Sequence, residues 1–234
     1  KIETGKIIAA EALARWTDPE LGVVPPSVFV KIAEQTGLIN RMSEILLNKA
    51  CQSAASWPTA IPVCFNVSVQ QLQNGPLLIQ QVLDALSASG LPANRLELEI
   101  TESMLIRSFD EIAPTIATLR DHGLRIALDD FGSGYCSLAY LNKISFDKIK
   151  IDQELAAQAS RSKTQASIIR MIASIGADLG ADVVVEGIED EGSAVHMRHL
   201  GISLAQGYYF GRPASARVLS ASLYESPEKI RATR

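Results

Sequence analysis

Residues 95–129, RLELEITESMLIRSFDEIAPTIATLRDHGLRIALD, read as one strand–helix–strand unit. Arg95–Thr101 and Leu124–Asp129 are short apolar runs of strand length. Asp110–His122 is apolar at helical spacing and stops at Gly123, as a glycine just past a helix predicts. Two strands joined by a helix pair in parallel, because a tight turn cannot connect parallel strands. The same alternation runs through the chain. Further strands are expected at Lys6–Leu13, Ile61–Val67, Phe146–Ile151, Asp182–Glu186 and Ile202–Gln206. Helices are expected after Pro25-Pro26 up to Gly37, and over Ser43–Ser56, Pro76–Ser89, Thr164–Leu179 and Glu191–Leu200.

Seven or eight such units in 234 residues point to an α/β fold, a TIM-like (β/α)8 barrel; such barrels run to about 250 residues, so this one is near minimum size or slightly truncated. Its first strand is allowed to be irregular or antiparallel. The rival is an open doubly wound sheet, which carries a glycine-rich phosphate loop after its first strand. Ala12-Leu13-Ala14-Arg15 stands there instead. The whole chain, 1–234, reads as a single domain. It opens on Lys1 rather than Met and is taken as an excerpt of a longer multidomain protein.

Hydrophobic residues make up 47% and aromatics 6%, a balance suited to buried parallel strands. No apolar run reaches the roughly 20 residues of a membrane span, and no signal peptide is legible. The net charge of -4 offers no general attraction to DNA or RNA polymers. Cys51, Cys64 and Cys136 are odd in number and unpaired in spacing, which favours a reducing cytoplasm over a disulfide framework. The polar tail Glu225–Arg234 is expected to fray.

Polar side chains stand at or near the ends of the strands: Glu11, Asn66, Glu99, Asp129 with Asp130, Lys150 with Asp152, Glu186 followed by Glu189, and Gln206. In a parallel barrel the carboxyl ends of the strands share one face. Any single one of them is explained as well by a chain leaving the core. As a set they demand counter-charge, since buried carboxylates repel and Lys150 alone does not balance them. Carboxylate and amide oxygens without Cys or His suit Mg²⁺, Mn²⁺ or Ca²⁺ rather than zinc or copper. His196 and His199 read as a helix-surface pair, and His122 as a helix-stop residue. DDFGSGYCSL, residues 129–138, reads either as an ordinary loop or as a segment tethering the acid pair to something else, such as a dimer partner. Asp129 bridging two metals and Asp130 holding one would make a clamp for in-line displacement at phosphorus. Lys150 would orient the water or neutralise phosphate; its alternative role is a structural ion pair.

The ordered motifs EALARW (11–16), NVS (66–68), EITES (99–103), DDFGSGY (129–135), KID (150–152), EGIE (186–189) and QGYYFGRP (206–213) resemble the EAL domain family, bacterial phosphodiesterases that hydrolyse cyclic di-GMP to linear pGpG. The resemblance implies two Mg²⁺ or Mn²⁺ ions per active site and a role in bacterial second-messenger signalling and biofilm regulation. It implies Glu11, Asn66, Glu99 and Asp129 on one metal, and Asp129 with Asp130 on the second, Glu186 on that metal or its water. Lys150 would contact the attacking water, supported by Gln206 and Glu189. Leu13, Arg15, Asp152, Phe210 and Pro213 would contact substrate. Glu102 would anchor the glycine loop, which in this family also shapes a homodimer interface. Sensory or cyclase-like domains would be covalently attached, and the location would be cytoplasmic, including the cytoplasmic part of a membrane-anchored protein. Ser133 and Cys136 stand where the family usually has Thr and Ser. Two alternatives stand beside hydrolysis: a catalytically weak or inactive cyclic di-GMP receptor, and a different metal-dependent barrel enzyme such as an enolase-like lyase.

Overall fold

The computed structural model describes residues 1–133, 141 and 143–224. Tyr135, Cys136 and the tail Glu225–Arg234, all singled out in the sequence, lie outside the described residues. The elements run β1 (Ala10–Ala12), β2 (Trp16–Asp18), β3 (Gly22–Val24), α1 (Pro26–Gln35), α2 (Ile39–Ala55), β4 (Val63–Asn66), α3 (Val69–Gln73) and α4 (Gly75–Ser89). They continue with β5 (Leu96–Thr101), α5 (Glu102–Asp121), β6 (Arg125–Phe131), β7 (Lys148–Ile151), α6 (Gln153–Ala159), α7 (Lys163–Leu179), β8 (Asp182–Val185), α8 (Glu191–His199), β9 (Leu204–Ala205) and α9 (Ala216–Tyr224).

Seven strands form one sheet in the order β1-β4-β5-β6-β7-β8-β9. The pairs β1–β4, β6–β7, β7–β8 and β8–β9 are parallel. The order follows the chain without the reversal that defines a doubly wound sheet. The fold is therefore of the α/β, TIM-like barrel class. The expected first strand, Lys6–Leu13, shortens to Ala10–Ala12 and pairs parallel with β4. Antiparallel pairing belongs instead to the β2–β3 hairpin, which the sequence pattern did not separate from the loop after the first strand. The expected helix Asp110–His122 starts earlier, at Glu102, with a non-helical residue at Ser108. The short helices α3 and α6 also escaped the pattern, because five and seven residues hold too few turns to show a period.

The chain folds into two compact units, one of Ala9–Leu98 with Asp110–Leu124, the other of Lys1–Ile8, Glu99–Phe109 and Arg125 onward. In the first, α2 and α4 bury Leu47, Cys51, Ala54, Val82 and Ala85. Burial pushes the Cys51 thiol up to about 11, so it stays a neutral, inert core residue. Arg95 fastens the connection between α2 and β4. Its guanidinium donates to the carbonyls of Ala54 at 2.8 Å, Thr59 at 3.2 Å and Ile61 at 3.1 Å. Partial burial lowers its pKa from the ordinary value.

In the second unit, Ile126, Ala127 and Leu128 of β6, Ile149 and Ile151 of β7 and Val185 of β8 are buried, as are Ala166, Ile169 and Ile172 of α7. Strands this thoroughly covered read as near-continuous apolar runs. The buried charged exceptions are Asp129 of β6, and Lys148 and Lys150 on alternate positions of β7.

Replacing Arg95 by Met removes three carbonyl partners without removing bulk. Urea unfolding should show a loss of about 1–3 kcal/mol, with the midpoint falling and the slope unchanged.

Candidate active site

β6 begins as an apolar strand and ends in two adjacent acids. Strict alternation would send Asp129 and Asp130 to opposite faces. The pairing with β7 shows why it does not. Leu128 pairs with Ile149 and Phe131 with Ile151, so three steps on β6 match two on β7. The extra residue is a β-bulge. Asp130 carries φ 55, the one positive φ outside glycine among the described residues. Aspartate tolerates this left-handed conformation better than most residues. Its N–H donates to Asp129 Oδ1 at 3.0 Å. The result is one group in which Asp129, Asp130 and Glu186 each place a carboxylate oxygen within 4.8 Å of the others.

Lys150 sits at the centre of the arrangement. It is 2% exposed, and its Nζ lies 3.0 Å from Glu99 Oε2, 3.0 Å from Asp129 Oδ1 and 2.8 Å from Glu186 Oε1. An ammonium has three N–H donors, and here it faces three carboxylates. Glu99 lies within the buried run Leu96–Ile100 of β5, and Glu186 follows β8, its N–H held by the Ile151 carbonyl at 3.0 Å. With Asp130 included, Lys150 supplies one positive charge against four carboxylates. The surplus negative charge and all-oxygen donor set fit a divalent cation.

The segment after Asp130 is held from behind. Glu102, the first residue of α5, is buried, and its Oε2 accepts from Gly132 N–H at 3.0 Å. Its Oε1 is buried with no hydrogen-bond partner among the described residues. A helix N-terminus favours that carboxylate. Gly132 has φ +94, and a Cβ there would lie 2.6 Å from Leu155 Cδ2, so a larger residue meets both strain and overlap.

Other expected residues are placed as follows. Gln206 N–H donates to the Val185 carbonyl at 2.8 Å, which sets Gln206 beside the end of β8. Asp152 caps α6, accepting from Glu154 N–H at 2.8 Å. Glu189 and Pro213 are exposed. Phe210 meets Tyr209 edge to face at 5.0 Å. Within the other unit, Asn66 Nδ2 donates to Glu11 Oε1 at 2.7 Å, and Arg15 Nη1 donates to the Ala14 carbonyl at 2.8 Å. Leu13 is exposed.

Sequence reasoning missed two buried charges, Glu97 at 0% and Lys148 at 5% exposure. They stand two residues before Glu99 and Lys150, so the period of a strand puts them on the same faces. Cys64 Sγ donates to Glu97 Oε1 at 3.1 Å. The alternation in LELE and KIKI was the available signal.

The family model of the EAL domain matches residues 1–213. MucR of Pseudomonas aeruginosa, a bifunctional diguanylate cyclase/cyclic di-GMP phosphodiesterase, is 34% identical over 94% of this chain and 32% of its own length. NbdA of the same organism, a cyclic di-GMP phosphodiesterase, is 33% identical over 94% of this chain and 28% of its own. The solved MucR phosphodiesterase in complex with c-di-GMP matches with a TM-score of 0.86 at 34% identity, over 92% of this chain and 89% of that one. A manganese/cy-diGMP complex of Klebsiella pneumoniae BlrP1 matches with a TM-score of 0.75 at 31% identity, over 82% of this chain and 49% of that one. The chain spans 27–33% of the length of the first curated relatives it matches.

The bulge makes its own prediction. Asp130→Asn should leave the urea midpoint nearly unchanged, because asparagine also accepts φ 55. Asp130→Val should destabilise by about 1–2 kcal/mol, since a β-branched residue is strained there. Equal midpoints for the two variants would contradict a strained bulge.

Proposed function

Because the chain belongs to the EAL domain family, we propose that it hydrolyses cyclic di-GMP to linear pGpG at the cluster around Lys150. The observation that carries this is the buried Lys150 ammonium held by Glu99, Asp129 and Glu186, with Asp130 alongside. Lys150 meets three acids, and a fourth sits on the bulge at φ 55. Two Mg²⁺ or Mn²⁺ ions are the cofactors proposed. Glu99, Asp129, Asp130 and Glu186 would hold them, with Glu11 and Asn66 assigned by motif order. When bound, divalent cations neutralise phosphate charge and acidify water.

The side chains divide the remaining work. Lys150 Nζ orients the attacking water and meets the charge gathering on the phosphate oxygens. Glu186, whose Oε1 lies 2.8 Å from Nζ, would accept the water's proton. A new P–O bond forms to the water oxygen, the bond to the ribose 3′ oxygen breaks, and that oxygen takes a proton from solvent to leave as the 3′ hydroxyl. That opens one of the two phosphodiesters and leaves a 5′ phosphate, which is pGpG. Gln206 and Glu189 support the site from the β8 and β9 ends. Leu13, Arg15, Asp152, Phe210 and Pro213 contact the substrate, Arg15 through phosphate.

A homodimer through the loop beyond Asp130 and covalently attached sensory or cyclase-like domains complete the proposal. The longer relatives support the attached domains. Among the described residues no helix is long and apolar enough to cross a membrane. We place the domain in the cytoplasm, where a thiol-bearing core without a disulfide framework is at home.

Chromatography of cyclic di-GMP incubated with the protein should show Mg²⁺-dependent pGpG, abolished by chelation and restored by Mg²⁺ or Mn²⁺. Lys150→Ala should lower kcat/KM by at least about 100-fold. Equal rates for the two proteins would sink the reading. Tight binding by the wild type without turnover would identify a receptor instead.

A further inference from the structure

We propose that Gln153 and Leu155, on the first turn of α6, are positioning residues that hold the Glu186 turn and the Asp129–Asp130 turn at a fixed separation, and so set the gap between their carboxylates. The proposal rests on the phosphodiesterase reading and deepens it. Both residues act through the turns they pack against. α6 starts one residue after Asp152, so the strand that delivers Lys150 also delivers this helix.

Two glycines mark the contacts. Gly187 follows Glu186 directly and carries φ +69; a Cβ there would lie 2.5 Å from Gln153 Cβ and 3.3 Å from its Cα. Those two atoms cannot swing aside without moving α6 itself. Gly132 stands two residues after Asp130, and a Cβ there would lie 2.6 Å from Leu155 Cδ2. This second contact is softer, since a leucine tip can change rotamer. Hydrogen bonds tie the approach to α6 to both strand ends. Asp152 N–H donates at 3.2 Å to the carbonyl of Phe131, the residue between Asp130 and Gly132. On the other side the Ile151 carbonyl accepts from Glu186 N–H at 3.0 Å. Leu155, Ala156 and Ala159 are buried, so α6 is itself seated in packed structure.

The turns matter for what they carry. Lys150 Nζ meets Asp129 Oδ1 at 3.0 Å and Glu186 Oε1 at 2.8 Å, and Asp129, Asp130 and Glu186 bring oxygens within 4.8 Å of one another. Carboxylates this close repel, so their spacing has to be imposed from outside the group. The overlap that forbids a Cβ at Gly187 and Gly132 sets the nearest approach of each turn to α6. The hydrogen bonds through Phe131 and Ile151 set the farthest. A small divalent ion such as Mg²⁺ takes its oxygens at about 2.0–2.1 Å in near-octahedral array, so it reads that spacing closely.

The test reads Mn²⁺ affinity by calorimetry beside cyclic di-GMP hydrolysis, with urea midpoints to show that each variant is folded. Gly187→Ala should weaken Mn²⁺ binding and lower kcat, each by roughly 10- to 100-fold, the range for groups that orient metal ligands. Its KM for cyclic di-GMP should stay within about 3-fold of wild type. Adding Gln153→Gly removes the Cβ that the new methyl strikes, so the double variant should regain about 5-fold or more in both readouts. Backbone strain at φ +69 is the same in the single and double variants, so the regained part belongs to the contact. Leu155→Ala should weaken both readouts by about 10-fold, and Leu155→Met, of similar volume, should restore them. Where Gly187→Ala does not fold, the Leu155 pair decides. Variants that lower the urea midpoint yet keep Mn²⁺ affinity and kcat within about 2-fold of wild type would give α6 a purely structural role and overturn the proposal. A double variant no better than Gly187→Ala would overturn it as well. If the wild type binds Mn²⁺ and the variants weaken that binding while no pGpG forms, hydrolysis fails and the positioning role stands. If the variants form pGpG as fast as the wild type, hydrolysis stands and the positioning role fails. A wild type that binds no Mn²⁺ would defeat both.

Discussion

A lysine ammonium removed from water needs its charge answered nearby, and at Lys150 this constraint organises the surrounding strand ends. Glu99, Asp129 and Glu186 come from β5, β6 and the residue after β8, and all three oxygens lie within 3.0 Å of Nζ. None of these charges is tolerable alone at this depth, because an unpaired buried ion loses its hydration with nothing in exchange. The acids also outnumber the ammonium, so the cluster suits an additional cation. A site with charge to spare on the acidic side can take up metal without recruiting new ligands.

The second constraint is the bulge. A regular strand cannot present two consecutive side chains to one face. β6 does so by adding a residue opposite Lys150 and putting Asp130 at φ 55. The strain is met locally, by an aspartate that tolerates it and by the hydrogen bond from Gly132 to buried Glu102. Strained backbone concentrated at one acid pair is what a site needing fixed, converging carboxylates would contain. The same logic holds at Gly207, where the close approach to Ile188 admits no side chain.

Much of the candidate site was legible because charge inside an apolar run stands out. Glu99 in LELEIT and Lys150 in KIKI were marked by their neighbours, and both are among the most buried residues. Glu97 and Lys148 carry the same mark and are also buried, yet they stand two residues further from the strand ends and so drew no notice. Asp152 read as a strand-end acid and is also the cap of α6, a duty that a single local hydrogen bond decides. The hairpin β2–β3 went unseen because three-residue strands leave no measurable period.

The sequence by itself determined the alternation of strand and helix, the parallel α/β class, the oxygen-only donor set and the ordered motifs of the EAL family. Each is a local or compositional property, readable wherever residue type and spacing speak for themselves. Only the tertiary structure decided that Asp129 and Asp130 share a face, that Lys150 gathers three acids, and that α6 packs against the turns at Gly132 and Gly187. The first two depend on which residue of one strand stands opposite which residue of another. The third depends on a helix that closes on two separate strand ends. Register and turn packing are non-local, so no reading of neighbours along the chain contains them.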